Sequence, residues 1–185
     1  MKQIAFITSN KGKVAEACVK LEPLGYSVVQ KDLGYLEIQA DSLQEVALYG
    51  VDLLHKRVRS AFFLEDSGVF ITALSGFPGV YSKYVYLTIG LGGVLHLMQG
   101  KQDRSAVFRS VIAYSEPGCN PELFVGECPG TLSMEARGSG GFGYDPIFIP
   151  EGMNLTFAEM TTQEKTVVSH RGKALELFAH RLGSG

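Results

Sequence analysis

A chain of 185 residues, 45% hydrophobic and 19% charged, is long enough to bury one substantial core and has the composition of an ordinary globular domain. Its formal net charge of −2 supplies no basic field for nonspecific nucleic-acid binding, so an anionic ligand must be met by a local cluster of cations. No apolar run approaches a membrane span, and Cys18, Cys119 and Cys128 have neither C-x-x-C spacing nor the even number of a disulfide framework. A cytoplasmic location fits, with no nucleic-acid and no membrane partner.

"KQIAFITSNKGKVAEACVKLEPLG" reads as strand, turn and helix. Asn10 is a good N-cap, Val14, Ala17, Cys18 and Leu21 recur at helical spacing, and Pro23 with Gly25 ends the helix. A short strand around Tyr26 to Gln30 leads to "GYLEIQADSLQEV". There Ser42-x-x-Glu45 spells a capping box, and Leu43, Val46, Ala47, Gly50, Val51 and Leu54 form a buried stripe. "AFFLEDSGVFITALSGFPGVYS" reads as strand, polar break, strand and turn. Leu91, Val94, Leu95 and Met98 mark a helix before Gly100. Arg104 to Met134 favours β-structure with "EPGCNPE" as its turn, and Ala174, Leu175, Phe178 and Leu182 share one face of a last helix. Early alternation and late β-content predict an α/β fold with a mixed sheet, in a single domain over residues 1–185 whose last three residues, 183–185, form a frayed tail.

Several stretches could carry chemistry. In "TSNKGK" a strand ends at Thr8, and Asn10 and Lys13 flank the first turn of a helix, where free N–H groups favour anions. Ile7 stands where a Walker A loop needs its first glycine, so a plain N-cap with a solvated lysine is the competing reading. "LEDSG" sets Glu65 and Asp66 at the end of an apolar strand, suited to a hard cation or to a simple Asx turn. Glu37, an acid in an apolar context, could join them. His55, His96, His170 and His180 form no zinc-binding pattern. Lys83, among tyrosines after the "GFPG" turn, reads as a phosphate contact or as a snorkelling surface lysine.

Gly138-x-Gly140-x-x-Gly143 in "RGSGGFGYDPIF" satisfies the dinucleotide-fold expression, but Pro146 and the extended "IFIP" follow it where that fold needs a helix. The glycines still permit close backbone approach, with Phe142 or Tyr144 to stack on a base. "EKTVVSHRGKAL" gathers Lys165, His170, Arg171 and Lys173. A solvated basic face is the ordinary reading, yet His170 and Arg171 are donors able to meet a planar carbonyl. Acids for a metal, cations for phosphates and an aromatic-plus-donor set for a base together describe a nucleotide site.

The motifs "TSNKGK", "EDSG", "FPGVYS", "GFGYDPIF", "FAEM" and "EKTVVSHRGKAL", in this order from Ile4 to about Leu177, closely resemble the inosine triphosphate pyrophosphatase family, also described as XTP/dITP pyrophosphatases. The resemblance implies an elongated mixed sheet flanked by helices, two lobes with a nucleotide cleft between them, a homodimer, and Mg2+ with Mn2+ able to substitute. It implies hydrolysis of deaminated purine triphosphates to the monophosphate and pyrophosphate. Carried over motif by motif, Thr8, Ser9, Asn10, Lys11, Gly12 and Lys13 would hold the triphosphate, and Glu37 and Asp66 the metal. Asp66 would also be the general base, with Glu65 and Lys13 beside it in catalysis. Ser67 would touch substrate, Phe142, Gly143, Tyr144, Asp145 and Lys165 would line the nucleoside, and Ser169, His170 and Arg171 would read the base. Thr166 stands where many members have Asn, and Lys83-Tyr84 replaces a more usual Ala-Arg pair. A weakly catalytic nucleotide-binding regulator, or a related enzyme acting on pyrimidine or modified nucleotides, are the alternatives.

Overall fold

A computed structural model describes residues 1–183. Six strands form one mixed sheet in the order β2-β1-β3-β4-β5-β6: β1 (Lys2–Ile7), β2 (Tyr26–Lys31), β3 (Phe62–Ile71), β4 (Ser105–Ser115), β5 (Glu122–Leu132) and β6 (Phe148–Pro150). β1 runs parallel to β2 and β3, because the helices α1 (Lys11–Leu21) and α2 (Leu43–His55) carry the chain back between them. From β3 onward every pairing is antiparallel. The remaining helices are α3 (Ser82–Thr88), α4 (Gly90–Leu97), α5 (Thr162–Val168) and α6 (His170–Gly183). Of the expected tail, residues 184 and 185 lie outside the described residues, while Gly183 closes α6.

Strand alternation sorts the core onto two faces. Ile4, Phe6 and Phe63 meet Ala17 and Leu21 of α1 and Phe178 of α6 on one face. Ala5, Ile7, Phe62 and Leu64 meet Leu43, Ala47, Val51 and Leu54 of α2 on the other. Phe6 and Phe63 stack at 4.2 Å between centroids, each side chain contributing about 1.5–3 kcal/mol by burial. A third cluster at the far end joins Val69, Ile71, Phe108, Phe148 and Phe157 to Val85, Val94 and Met98.

Two local expectations need correction. The polar break in "FFLEDSGVFI" does not exist: β3 is one ten-residue strand, with Glu65 paired to Ile112 and Asp66 to Val111 across β4. Backbone pairing along the centre of the sheet overrides the side-chain polarity. The capping box at α2 is half made. Ser42 accepts the Glu45 N–H at 3.2 Å, but Glu45 accepts from Asp41 rather than from Ser42.

α6 lies directly on β5, and Gly126 makes this possible. A Cβ there would be driven into the His170 carbonyl oxygen and would stand 2.5 Å from the Ala174 nitrogen. Gly126→Ala is therefore expected to cost about 1–3 kcal/mol by urea denaturation, since backbone cannot yield as a side-chain tip does.

Candidate functional site

The site begins where β1 stops. Ile7 is the last residue of β1 paired with β3, opposite Leu64, so Glu65, Asp66 and Ser67 lie on an edge that β1 leaves uncovered. Asn10 caps α1 at this gap, its side-chain oxygen accepting the N–H groups of Gly12 and Lys13 at 2.8 and 3.2 Å. Lys13 then reaches across to the open edge, where its Nζ donates to the Glu65 carbonyl at 2.9 Å and pairs with Glu65 Oε2 at 2.8 Å. A cavity of about 590 Å3 opens there.

Thr8, Ser9, Asn10, Lys13, Glu37, Glu65, Asp66, Ser67, Phe142, Gly143, Tyr144, Asp145, His170 and Arg171 all border this cavity. Lys11, Gly12, Lys165 and Ser169 do not. Lys11 is exposed at the start of α1. Gly12 has a different part: a Cβ there would meet the Phe142 ring at 2.6 Å, so its bare backbone lets that ring lie against α1. Ser169 is buried at the start of α6, where its hydroxyl accepts the Gly172 N–H at 3.0 Å. Tyr144 borders the cavity with its ring, but its hydroxyl donates to the Ser82 carbonyl at 2.8 Å.

Beneath the cavity six charges alternate in sign. Asp145 pairs with Lys165 at 2.6 Å, Lys165 with Glu16 at 2.8 Å, and Glu16 with Arg171 at 2.7 Å. Arg171 continues to Glu65 at 3.2 Å and Glu65 to Lys13 at 2.8 Å. Burial alone would push the Glu65 carboxyl up, yet Arg171 and Lys13 outweigh it and hold it well below the usual carboxylate range. Glu65 is thus a fixed anion, bonded also by the Ser110 hydroxyl.

Asp66 differs, because alternation along β3 turns it to the opposite face from Glu65. Among the described residues no ion pair reaches its carboxylate, whose side-chain hydrogen bond comes from the Ser67 N–H at 2.9 Å. Burial raises its pKa to about 6; Lys13 opposes that rise, while the charges of Glu65 and Glu37 add to it. A half-buried carboxylate without an ion-pair partner, bordering a cavity, suits a divalent ion. No group of three or more His, Cys, Asp and Glu side chains that could hold a metal occurs among the described residues. Mg2+ needs less, being held by one or two carboxylates plus substrate phosphates, so Asp66 with Glu37 fits such an ion. Glu37 is half-exposed and pairs with Lys83 at 3.1 Å.

His170 is buried, its ring parallel to Phe108 at 4.4 Å, and neither ring nitrogen has a partner. Burial and the neighbouring Arg171 hold its pKa well below the usual value, so the imidazole is neutral and offers one donor and one acceptor instead of two donors. Phe142 covers the cations, with Lys165 Nζ at 4.7 Å and Arg171 Cζ at 5.3 Å from its ring centroid. Spacing missed Glu16, Tyr35 and Phe108, while Lys83, read as a phosphate contact or a surface lysine, borders the cavity and pairs with Glu37. Glu16 sits between Lys13 and Lys20 and reads as surface; Tyr35 carries a nearby signal only in preceding Glu37.

The model of the Ham1 family matches residues 4–181. A protein of Thermococcus kodakarensis named dITP/XTP pyrophosphatase is 57% identical over 180 residues, covering 97% of each chain. One of Pyrococcus horikoshii with the same name is 53% identical, covering 95% of this chain and 94% of that one. The solved structure of a HAM1 protein from Coxiella burnetii superimposes with a TM-score of 0.87 at 31% identity, covering all of both chains. With fold and sequence in agreement along nearly its whole length, the chain belongs to the Ham1 family.

Proposed function

We propose that the cavity binds deaminated purine nucleoside triphosphates (ITP, dITP and XTP) and that the protein hydrolyses them to the monophosphate and pyrophosphate, with Mg2+ or Mn2+. The observation that carries this reading is Asp66, a half-buried carboxylate with no ion-pair partner among the described residues, beside the capped N-terminus of α1. The names of the relatives point the same way.

Thr8, Ser9 and the first turn of α1 receive the triphosphate, with Lys13 adding a full charge. Asp66 and Glu37 hold the cation, which when bound neutralises phosphate charge and acidifies water. Asp66 takes a proton from the water that attacks the α-phosphorus. The bond to the bridging oxygen breaks and pyrophosphate leaves with that bond's electrons. His170 or Arg171 donates to the 6-carbonyl, where adenine presents an opposed donor. Phe142 lies against the ring.

The domain is read as a single two-lobed unit closing over the nucleotide. It works as a homodimer, for which the exposed Tyr84, Leu87 and Ile89 supply an apolar face of the kind that subunit contacts cover. A cytoplasmic setting accords with three unpaired cysteines, and among the described residues no helix is long and apolar enough to cross a membrane.

Incubation with ITP, dITP, XTP, GTP, ATP and dUTP plus Mg2+, with the products identified, tests the reading. Monophosphate and pyrophosphate from ITP or XTP are expected. Orthophosphate alone, or equal rates on ATP, sinks it.

A further inference from the structure

Glu16 neither borders the cavity nor meets solvent, yet it is connected to both walls of the site. Its two oxygens are divided: Oε1 accepts from Lys165 of α5 at 2.8 Å and Oε2 from Arg171 of α6 at 2.7 Å. Lys165 passes the connection to Asp145 Oδ2 at 2.6 Å, and that same oxygen accepts the Phe142 N–H at 2.7 Å. Arg171 passes it to the Ser67 hydroxyl at 3.0 Å and holds station near the Phe142 ring. Glu16 itself rides on α1, whose first turn carries Asn10 and Lys13. One carboxylate therefore ties the helix at the phosphate end to the glycine loop and to α6.

Stability does not account for this arrangement. Taking one carboxylate and two cations out of water costs several kcal/mol per ion, and apolar side chains of similar volume commonly pack as well or better. The Glu16, Lys165 and Arg171 side chains are all at least 96% buried, so solvent screening does not lessen that cost. What the charges add is direction: a planar guanidinium and an ammonium each held at one angle.

We propose that Glu16 is a positioning residue for base recognition. Its carboxylate locks Arg171 and, through Lys165 and Asp145, the Phe142 loop in the relative geometry that selects a 6-carbonyl purine. The inference rests on the pyrophosphatase reading above. Glu16→Gln keeps the shape but can accept with one oxygen only, so one wall is released.

The test is steady-state kinetics of wild type, E16Q and E16D on ITP and ATP, with thermal melting of the same samples. E16Q is expected to raise KM for ITP about tenfold and to lower the ITP-over-ATP preference about tenfold, while kcat changes less than about threefold. If E16Q does not fold, E16D keeps the charge, shortens its reach and must show the same split. A lowered melting temperature with wild-type KM and preference in the folded enzyme would mean a purely structural residue and overturns the inference. Wild type inert towards ITP and XTP overturns the pyrophosphatase reading and the inference with it. Wild type active with E16Q and E16D unchanged overturns the inference alone.

Discussion

Asp66→Asn is expected to lower kcat/KM for ITP by about 10³-fold while leaving the protein folded, because a positioned general base contributes about 10²–10⁴-fold. The same substitution should make the protein more stable at pH 8. Burial raises the Asp66 pKa from the usual 3.8 to about 6, so the folded state holds this proton more tightly than the unfolded chain does. Its contribution to stability is complete below about pH 4 and is lost as pH rises through about 6. Above that, the carboxylate costs about 1–2 kcal/mol, reduced from the full linkage value because Asp66 borders an open cavity. Asparagine removes this cost, and a chain of this size then melts a few degrees higher. Melting curves of both proteins at pH 4.5 and pH 8 check it: the gain must appear at pH 8 and shrink at pH 4.5. Asp66→Asn retaining activity within about tenfold of wild type would remove Asp66 from the chemistry.

Arg171→Met is expected to be the most destabilising single change in the site, at about 3–5 kcal/mol. Arg171 is 2% exposed and leaves Glu16 and Glu65 behind it when lost. Against a total stability of about 5–15 kcal/mol, that loss brings the variant close to unfolding at physiological temperature. The pH dependence should reverse. In the wild type burial raises both acids, but Arg171, with Lys165 at Glu16 and Lys13 at Glu65, lowers them further. Their contribution is therefore present above the usual carboxylate range and lost as pH falls through it. Without Arg171 burial gains ground against the remaining lysines, and the variant loses most at pH 8 and least near pH 5. Urea denaturation at the two pH values measures this. Equal losses at both, or a loss below about 1 kcal/mol, would mean that Lys13 and Lys165 alone compensate the two acids. Arg171→Lys should fall between, since an ammonium keeps the charge but lacks the planar fork that meets Glu16, Glu65 and Ser67 at once.

The two experiments bear on adjacent acids of β3, Asp66 directly and Glu65 through its partner Arg171, with opposite outcomes that follow from position rather than residue type. Glu65 and Asp66 are neighbours in sequence and read there as one acidic pair. Alternation along β3 sends Glu65 among the cations of α1 and α6 and Asp66 to the side of Glu37 and Tyr35. One becomes a fixed anion and the other a group that titrates near pH 6.

Local signals determined much of this protein. Apolar periodicity located the elements, Asn10 announced the start of α1, Pro146 ruled out a dinucleotide fold, and the order of the motifs carried the family. These are short-range properties, set by backbone geometry and by which residues lie within a turn of one another. What only the tertiary structure decided are the partnerships across more than a hundred residues: Glu16 with Arg171 and Lys165, Ser67 with Arg171, the Phe142 ring on Gly12. No spacing along the chain encodes them, because each depends on where three helices and a glycine loop converge beside the end of β1. Burial at that convergence leaves His170 neutral and raises Asp66, while Arg171 and Lys13 keep Glu65 ionised against the same burial.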